Sequence, residues 1–321
     1  VTILVTGAAG FIGYHVAEAL LARGLPVIGV DNLSDYYDVG LKQARLARLR
    51  RHCDFGFFER SIADRSAMFA LAERLSEVTH VIHLAGQAGV RHSIDHPYAY
   101  VESNVMGQVV MLELARALPR FRHFVYASSS SVYGESDALP FSAETDRADN
   151  PVSLYAATKR SGELIATAYH HIHAMPVTGL RFFTVYGPWG RPDMAYFKFV
   201  KAAFDGKPIQ LFDAAGMKRD FTYIDDIVAG ILGAMDRQAD RSAVYNLGNN
   251  QPVRLMDFVA EIERATGRTL TKIDEPRQKG DVPATFADID SSRRDLGFEP
   301  KTSIREGLPK FVEWYRQYYK V

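Results

Sequence analysis

Thr2-Ile3-Leu4-Val5-Thr6-Gly7-Ala8-Ala9-Gly10-Phe11-Ile12-Gly13 is the stretch that decides the fold. Its first five residues read as a short, mostly apolar strand. Glycines follow at Gly7, Gly10 and Gly13, and a helical pattern then runs over residues 14–23. A glycine-rich turn between a strand and a helix is the setting that a dinucleotide fingerprint requires. The glycines let the backbone approach a pyrophosphate at the positive end of the helix. The spacing is GxxGxxG rather than GxGxxG, and its weight comes from its place after the first strand.

Outward from this turn, strands and helices alternate. Residues 27–30 form a second apolar run ending in Asp31, and further strands are expected at 55–58, 81–84, 124–127 and 177–181. Helical stretches at 41–51, 66–75, 98–118 and 153–171 separate most of them. This rhythm predicts an α/β fold built on a doubly wound parallel sheet of Rossmann type. Past residue 181 the pattern changes. Gly187-Pro188, Gly190-Arg191-Pro192 and Gly206-Lys207-Pro208 interrupt it, and short helices (196–204, 223–236, 255–266) mix with short strands. Two domains are expected: a dinucleotide-binding domain over 1–181 and a smaller mixed α/β substrate domain over 182–321. The boundary is approximate, since a chain of this kind can cross back. Asp31 stands where an acid bridges the adenosine ribose hydroxyls, and its charge repels a 2′-phosphate. The expected cofactor is therefore NAD rather than NADP.

The 321 residues are 47% hydrophobic with a formal net charge of zero. That is enough for two domains and gives no electrostatic footprint for nucleic acid. An anionic ligand would need locally clustered arginines. The single cysteine, Cys53, excludes an intrachain disulfide and reads as a small buried or half-buried thiol. With no signal-peptide pattern, a cytoplasmic protein is expected. No apolar run approaches the roughly 18 residues of a membrane span. Histidines such as His83, His170 and His171 do not predict a metal. His170 and His171 are adjacent, so on a helix they face different directions, and no Cys/His cluster accompanies them.

The residues richest in chemistry are Ser128-Ser129-Ser130-Ser131-Val132-Tyr133-Gly134 and Tyr155-Ala156-Ala157-Thr158-Lys159. YxxxK alone recurs by chance in a chain with 16 tyrosines. Position gives it weight: it opens a predicted helix after Asn150-Pro151, one inter-strand connection beyond the serine run. A tyrosine and a lysine four apart share a helix face, and a nearby positive charge lowers a phenol from its usual pKa of about 10. A phenolate held by the Ser129 hydroxyl can take a proton from an alcohol while the carbinol hydrogen leaves as hydride to a nicotinamide.

With these elements assembled, the chain resembles the extended short-chain dehydrogenase/reductase family over essentially its whole length. The resemblance rests on GxxGxxG from Gly7, His83-Leu84-Ala85-Gly86, Asn104, Ser128-Ser129-x-x-Val132-Tyr133-Gly134 and Tyr155-x-x-x-Lys159. Arg181-Phe182-Phe183-x-Val185-Tyr186-Gly187-Pro188 and Arg219-Asp220-Phe221-x-Tyr223-x-Asp225-Asp226 complete it. That family acts mostly on nucleotide sugars and keeps NAD bound. The resemblance implies three catalytic residues: Ser129, Tyr155 as base, and Lys159 orienting the nicotinamide ribose. It implies cofactor contacts from Gly7, Gly10, Phe11, Ile12, Gly13, Asp31, Asn32, Ile62, Leu84, Ala85, Gly86, Asn104, Tyr155, Lys159 and Phe182. Two positions depart from the pattern: Gly86 stands where alanine is frequent, and Ser61 where an aspartate often meets the adenine amine. Family members are often dimers through a four-helix contact, which implies a homodimer through 98–118 and 153–171.

Hydride removal from sugar C4 leaves a 4-keto sugar, whose fate depends on a second acid or base. Related dehydratases and decarboxylases carry Asp or Glu just after the catalytic hydroxyl residue. Here Ser130, Ser131 and Val132 follow, so the simplest remaining chemistry is return of hydride to the other face, an epimerisation. Residues 181–197, Gln87-Ala88-Gly89-Val90-Arg91 and Asp31-Asn32-Leu33-Ser34-Asp35-Tyr36-Tyr37 resemble the UDP-glucuronate 4-epimerases. Thr184 stands where UDP-galactose epimerases usually carry asparagine. The implied function is an NAD-dependent isomerase converting UDP-glucuronate to UDP-galacturonate without decarboxylation. The alternatives are a neutral UDP-sugar 4-epimerase (UDP-glucose/UDP-galactose), a UDP-glucuronate decarboxylase, and, outside enzymes, an NAD-binding sensor. A 4-keto uronate is a β-keto acid, and it loses carbon dioxide fastest when the C5–carboxylate bond stands perpendicular to the ketone plane. Ser130, Ser131 and Thr184 are expected to hydrogen-bond the carboxylate away from that geometry. Arg91, Arg191 and Arg219 are expected at the diphosphate, where guanidinium forks match phosphate oxygens, with Arg277 or Lys279 a further choice. Gln210 and Phe212 resemble the uracil-binding edge, and Trp189 is expected either to line the same pocket or to pack as a core aromatic.

Overall fold

The computed structural model describes residues 1–135, 139–214, 216–237, 241–276 and 284–321. The first half contains strands β1 (Thr2–Thr6), β2 (Val27–Asp31), β3 (Phe55–Glu59), β4 (Val78–His83), β5 (His123–Ser129) and β6 (Val177–Phe182). Between them run helices α1 (Phe11–Ala22), α2 (Val39–Leu49), α3 (Arg65–Phe69), α4 (His92–Asp95), α5 (Pro97–Tyr100), α6 (Gly107–Ala117) and α7 (Leu154–His173). The second half adds strands β7 (Thr184–Tyr186), β8 (Ile209–Phe212), β9 (Lys218–Tyr223), β10 (Ala243–Leu247), β11 (Pro252–Arg254) and β12 (Lys272–Glu275). Its helices are α8 (Ala195–Asp205), α9 (Ile224–Asp236), α10 (Leu255–Thr266), α11 (Asp290–Leu296) and α12 (Ile304–Tyr319).

Seven parallel strands form the main sheet, in the order β10-β6-β5-β4-β1-β2-β3. Ile3, Leu4 and Val5 have no exposure, because a central parallel strand is covered on both faces and reads as a continuous apolar run. The strand order reverses between β1 and β4, and ligands of such sheets bind in the crevice beyond the carboxyl ends at that point. The seventh strand, β10, pairs with β6 but lies beyond residue 181, so the sheet draws on both halves of the chain. Two smaller sheets, β11-β9-β7 and β12-β8, make up the rest of the strand structure described.

Three elements differ from the sequence expectation. The helix expected at 66–75 is broken into α3 and a 3₁₀ turn, Ala72–Leu75. That expected at 98–118 is α5, a π-helical segment over Val101–Met106, and α6. A π segment widens the helix by one residue per turn and frequently marks a functional site; this one carries Asn104. The third is α12, started by a capping box of Ser303 and Glu306, which lays Phe311, Trp314, Tyr315 and Tyr318 against the second half of the molecule. Trp189 belongs to this cluster, 5.3 Å from Trp314, 5.2 Å from Tyr318 and 5.7 Å from Tyr14, and is thus a packed aromatic. Cys53, expected buried or half-buried, is exposed. Among the described residues no helix is long and apolar enough to cross a membrane.

Candidate active site

The glycine turn closes the crevice from one side. Gly7 has φ +71°, and a Cβ there would stand 2.8 Å from the backbone nitrogen of Ala85, just past the end of β4. A Cβ on Gly13 would run into Gly7 O, so only glycine lets α1 start this close to β1. The N-cap of α1 is Gly10 and supplies no side-chain acceptor, which leaves the N–H groups of the first turn, at Phe11 and Ile12, to meet an anion. The Asp31 carboxylate shapes the turn: Ala9 N–H donates to Oδ2 (3.0 Å) and Leu33 N–H to Oδ1 (2.8 Å). Each oxygen keeps a further lone pair for a hydroxyl. Asn32 is exposed and accepts from Ser34 N–H, and Ile62 is buried. Thr6 Oγ1 accepts from Ala85 N–H (3.1 Å), fixing the Leu84–Gly86 strand end beside the turn. This donor set, with its backbone cradle and acid at the end of β2, fits a dinucleotide such as NAD.

Asn104 reaches the same strand end from the π segment. Its Oδ1 accepts from Gln87 N–H (2.8 Å), and its Nδ2 donates to Gln87 O (3.0 Å) and Thr158 Oγ1 (3.0 Å). A Cβ at Gly86 would stand 2.7 Å from Asn104 Oδ1 and 3.2 Å from Lys159 Nζ. The glycine that departs from the family pattern therefore makes room for both side chains.

Ser129 ends β5, opposite Phe182 at the end of β6. Tyr155 and Lys159 lie in the first turns of α7, whose N-cap Ser153 accepts from Ala156 N–H. Burial pushes the Tyr155 phenol above its ordinary value, while the Ser129 hydrogen bond and the charge of Arg191 act in the opposite sense. The Lys159 ammonium donates to Ala127 O on β5 (3.1 Å), and burial lowers its pKa to about 8. The groups favouring phenolate are thus Ser129 and Arg191. One turn on, Glu163 anchors the helix: Arg181 forks onto it (2.9 and 2.8 Å), and Ser128 and Arg160 donate to it (2.5 and 2.8 Å). Arg181, the first residue of a motif singled out in the sequence, is buried and positions α7 rather than lining the reaction centre.

Beyond Ser129 lies a cavity of about 160 Å³ lined by Val90, Ser130, Ser131, Thr184, Arg219 and Thr285, among others. It unites four expected substrate residues from β9, β7 and the turn after β5, and adds Val90, from the Gln87–Arg91 motif, and Thr285, which no motif had flagged. Arg91 is exposed, with its guanidinium 5.0 Å from the centre of the Phe212 ring. Gln210 and Phe212 share one face of β8 by its period of two, opposite buried Ile209 and Leu211. Arg191 forks onto Asp193, which also accepts from Tyr36 OH (3.1 Å). Tyr100, also unflagged, sets its ring edge-on to Tyr155 at 6.1 Å and donates to Gly89 O. Arg277 and Lys279 lie outside the described residues. Among the described residues no group of three His, Cys, Asp or Glu side chains is placed to hold a metal ion.

A parallel sheet with a glycine turn at its switch point and a Ser-Tyr-Lys constellation on the neighbouring strand and helix defines a class. The chain belongs to the NAD dependent epimerase/dehydratase family, whose model matches residues 3–248. Within it, the chain is 48% identical to a probable UDP-glucuronate 4-epimerase of Rhizobium meliloti, covering 99% of this chain and 97% of that protein. It is 50% identical to UDP-glucuronate 4-epimerase 2 of Arabidopsis thaliana, covering 100% of this chain and 77% of that protein. The fold is similar to the crystal structure of UDP-glucuronic acid 4-epimerase from Bacillus cereus in complex with UDP-glucuronic acid and NAD. There the TM-score is 0.92 and the identity 33%, covering 99% of this chain and 100% of that one.

Proposed function

We propose that this protein interconverts UDP-glucuronate and UDP-galacturonate through a 4-keto intermediate without decarboxylation. The observation that carries this reading is the cavity beyond Ser129, where the hydroxyl residues Ser130, Ser131 and Thr184 meet Arg219 and where no acid follows Ser129. Full-length similarity to proteins named UDP-glucuronate 4-epimerase supports the same substrate. NAD, when bound, supplies hydride acceptance and return at C4. The chain does the rest. Tyr155 takes the O4 proton, Ser129 hydrogen-bonds O4, and Lys159 orients the nicotinamide ribose. Gly7, Gly10, Phe11, Ile12, Gly13, Asp31 and Asn32 hold the dinucleotide, with Ile62, Leu84, Ala85, Gly86, Asn104 and Phe182 along its walls. Ser130, Ser131 and Thr184 hold the carboxylate, Arg91 and Arg219 the diphosphate, and Gln210 with Phe212 the uracil. Arg191, held by Asp193, joins Arg91 and Arg219 at the diphosphate and brings its charge near Tyr155.

In this reading, residues 1–181 with β10 form the NAD-binding unit, and the remainder of 182–321 covers the UDP-sugar. Exposed apolar side chains on α4 to α6 (Ile94, Tyr98 at 86%, Met106) and on α7 (Leu164, Ile172 at 72%) support a homodimer through these helices. We place the protein in the cytoplasm, in keeping with its single unpaired cysteine.

The test is the product spectrum. Purified protein given UDP-glucuronate should yield UDP-galacturonate with little UDP-pentose, and should leave UDP-glucose largely unconverted. UDP-pentose as the main product, or turnover of UDP-glucose alone, would overturn the assignment.

A further inference from the structure

Arg45 lies on α2, outside every motif of the site, and has no exposure. Its N–H groups meet only carbonyls and one phenol. Nε donates to Trp189 O (3.0 Å), and Nη1 donates to Ala9 O (2.9 Å) and Tyr37 OH (2.8 Å). Nη2 donates to Trp189 O (2.6 Å) and Gly190 O (3.1 Å). Those acceptors belong to three segments. Ala9 is in the glycine turn, and its own N–H is held by Asp31. Tyr37 follows the Asp31 strand end. Trp189 and Gly190 belong to the loop that continues into Arg191 and Asp193.

That loop is conformationally demanding. Gly187 has φ +147° and Trp189 φ +60°, a region that non-glycine residues seldom occupy. Strained backbone of this kind persists when its surroundings over-determine it. Two further side chains from the first half hydrogen-bond the same loop: His15 donates Nε2–H to Pro188 O (2.9 Å), and Tyr36 donates to Asp193 (3.1 Å). Arg45 alone of the three also grips the glycine turn.

We propose that Arg45 is a positioning residue that joins the dinucleotide cradle to the Trp189–Asp193 loop. Through it, occupancy of the cofactor crevice and placement of Arg191 beside Tyr155 are one structural event. A planar five-donor fork suits this role and an ammonium does not, because lysine has three donors from a single point and cannot bridge three segments. Coupling between two sites acts in both directions, so a ligand that settles the loop also tightens the hold on the dinucleotide, a gain we expect to read as slower exchange.

This inference rests on reading the crevice as an NAD site and the cavity as a UDP-sugar site. The experiment follows exchange of bound NAD for isotopically labelled NAD, with and without saturating UDP. It compares the parent with Arg45→Met, Arg45→Lys and Tyr37→Phe, and circular dichroism and thermal melting report on folding. In the parent, UDP slows exchange. In Arg45→Met and Arg45→Lys, exchange is about tenfold faster or more, the scale of lost hydrogen bonds to a charged group, and UDP no longer slows it. Tyr37→Phe removes one acceptor and shifts exchange in the same direction by a smaller factor. A purely structural role would lower the melting point and leave the UDP effect intact, and that result overturns the proposal. Should Arg45→Met fail to fold, the other two variants decide, and unchanged exchange in both overturns it equally. Absence of NAD from the denatured parent would instead overturn the cofactor reading.

Discussion

The carboxyl edge of the seven-stranded sheet and the small β11-β9-β7 sheet meet at one cavity, yet they are built by opposite means. On the first, backbone does the positioning: the glycine turn, the end of β4 against it, and a carboxylate whose two oxygens are held by main-chain N–H groups. On the second, side chains arrive from separate strands, Thr184 on β7 and Arg219 on β9, with Thr285 from further along the chain. A backbone cradle leaves little freedom of sequence and binds any ligand with the right phosphates. A side-chain wall can be rewritten one residue at a time. The difference suggests that cofactor and substrate functions fail separately under mutation.

Tyr155→Phe is the hardest test of that separation. It removes the proton acceptor while leaving the cradle untouched, so turnover should fall by about 10³-fold or more with NAD content unchanged. Turnover of UDP-glucuronate and NAD released on denaturation are the two measurements. If NAD content falls in step with activity, the two sides are not independent.

Glu163→Gln strikes the anchor that both sides share, because α7 carries Tyr155 and Lys159 and is tied to β6 by the Arg181 fork. Burial pushes the Glu163 carboxyl up, but the hydrogen bonds and charge of Arg181 more than offset this and hold it below its ordinary value. A depressed carboxylate contributes stability that is present above its unfolded pKa and lost as pH falls through its folded pKa. The parent should therefore lose melting temperature on acidification below the usual glutamate range, and Glu163→Gln should start lower and change less there. Removing one partner of a buried ion pair costs roughly 3–5 kcal/mol, and Gln, which keeps an acceptor, should fall at or under the low end. A melting point unchanged at neutral pH would show that the fork does not hold α7.

Gly13→Ala addresses the cradle alone. The added methyl meets Gly7 O, and overpacking of this kind costs about 1–3 kcal/mol, expected here mainly as weakened NAD retention. Calorimetric NAD affinity, set beside UDP affinity, tells whether the damage stays on the cofactor side.

The same contrast explains what could be read before the structure. Strand β1 and its glycines are contiguous, so the period of the run and the turn chemistry together declared the crevice. Ser129, Tyr155 and Lys159 were legible because one connection separates them. The register of β10 against β6 was not, since no local pattern in Ala243–Leu247 says which sheet it joins. The π segment escaped because residues 101–106 carry helical periodicity; the contacts of Asn104 with Gln87 and Thr158 are tertiary and leave no local pattern. Arg191 reads as a phosphate ligand, but nothing in its motif shows that Asp193, two residues on, holds its fork. Arg45 sits in an amphipathic basic helix, where an arginine reads as a solvated face. Its burial depends on Trp189 being 144 residues away in sequence and adjacent in space. Roles set by tertiary contact between distant segments leave no trace in spacing.

The smallest expected effects bear on the side-chain wall. Ser130 follows Ser129 at the sheet edge, whereas Thr184 lies on the small sheet, and both line the cavity. If both hydrogen-bond the uronate carboxylate, each neutral bond contributes about 1 kcal/mol to the orientation that resists carbon dioxide loss. Ser130→Ala and Thr184→Ala should then each raise the UDP-pentose fraction by about fivefold, with NAD content unaltered. The informative quantity is the double variant. Two bonds to one carboxylate restrain a single rotation, so removing the second should release more decarboxylation than removing the first. Strict additivity would mean that the two hydroxyls act on different groups, and the carboxylate would then be held from one side of the cavity only.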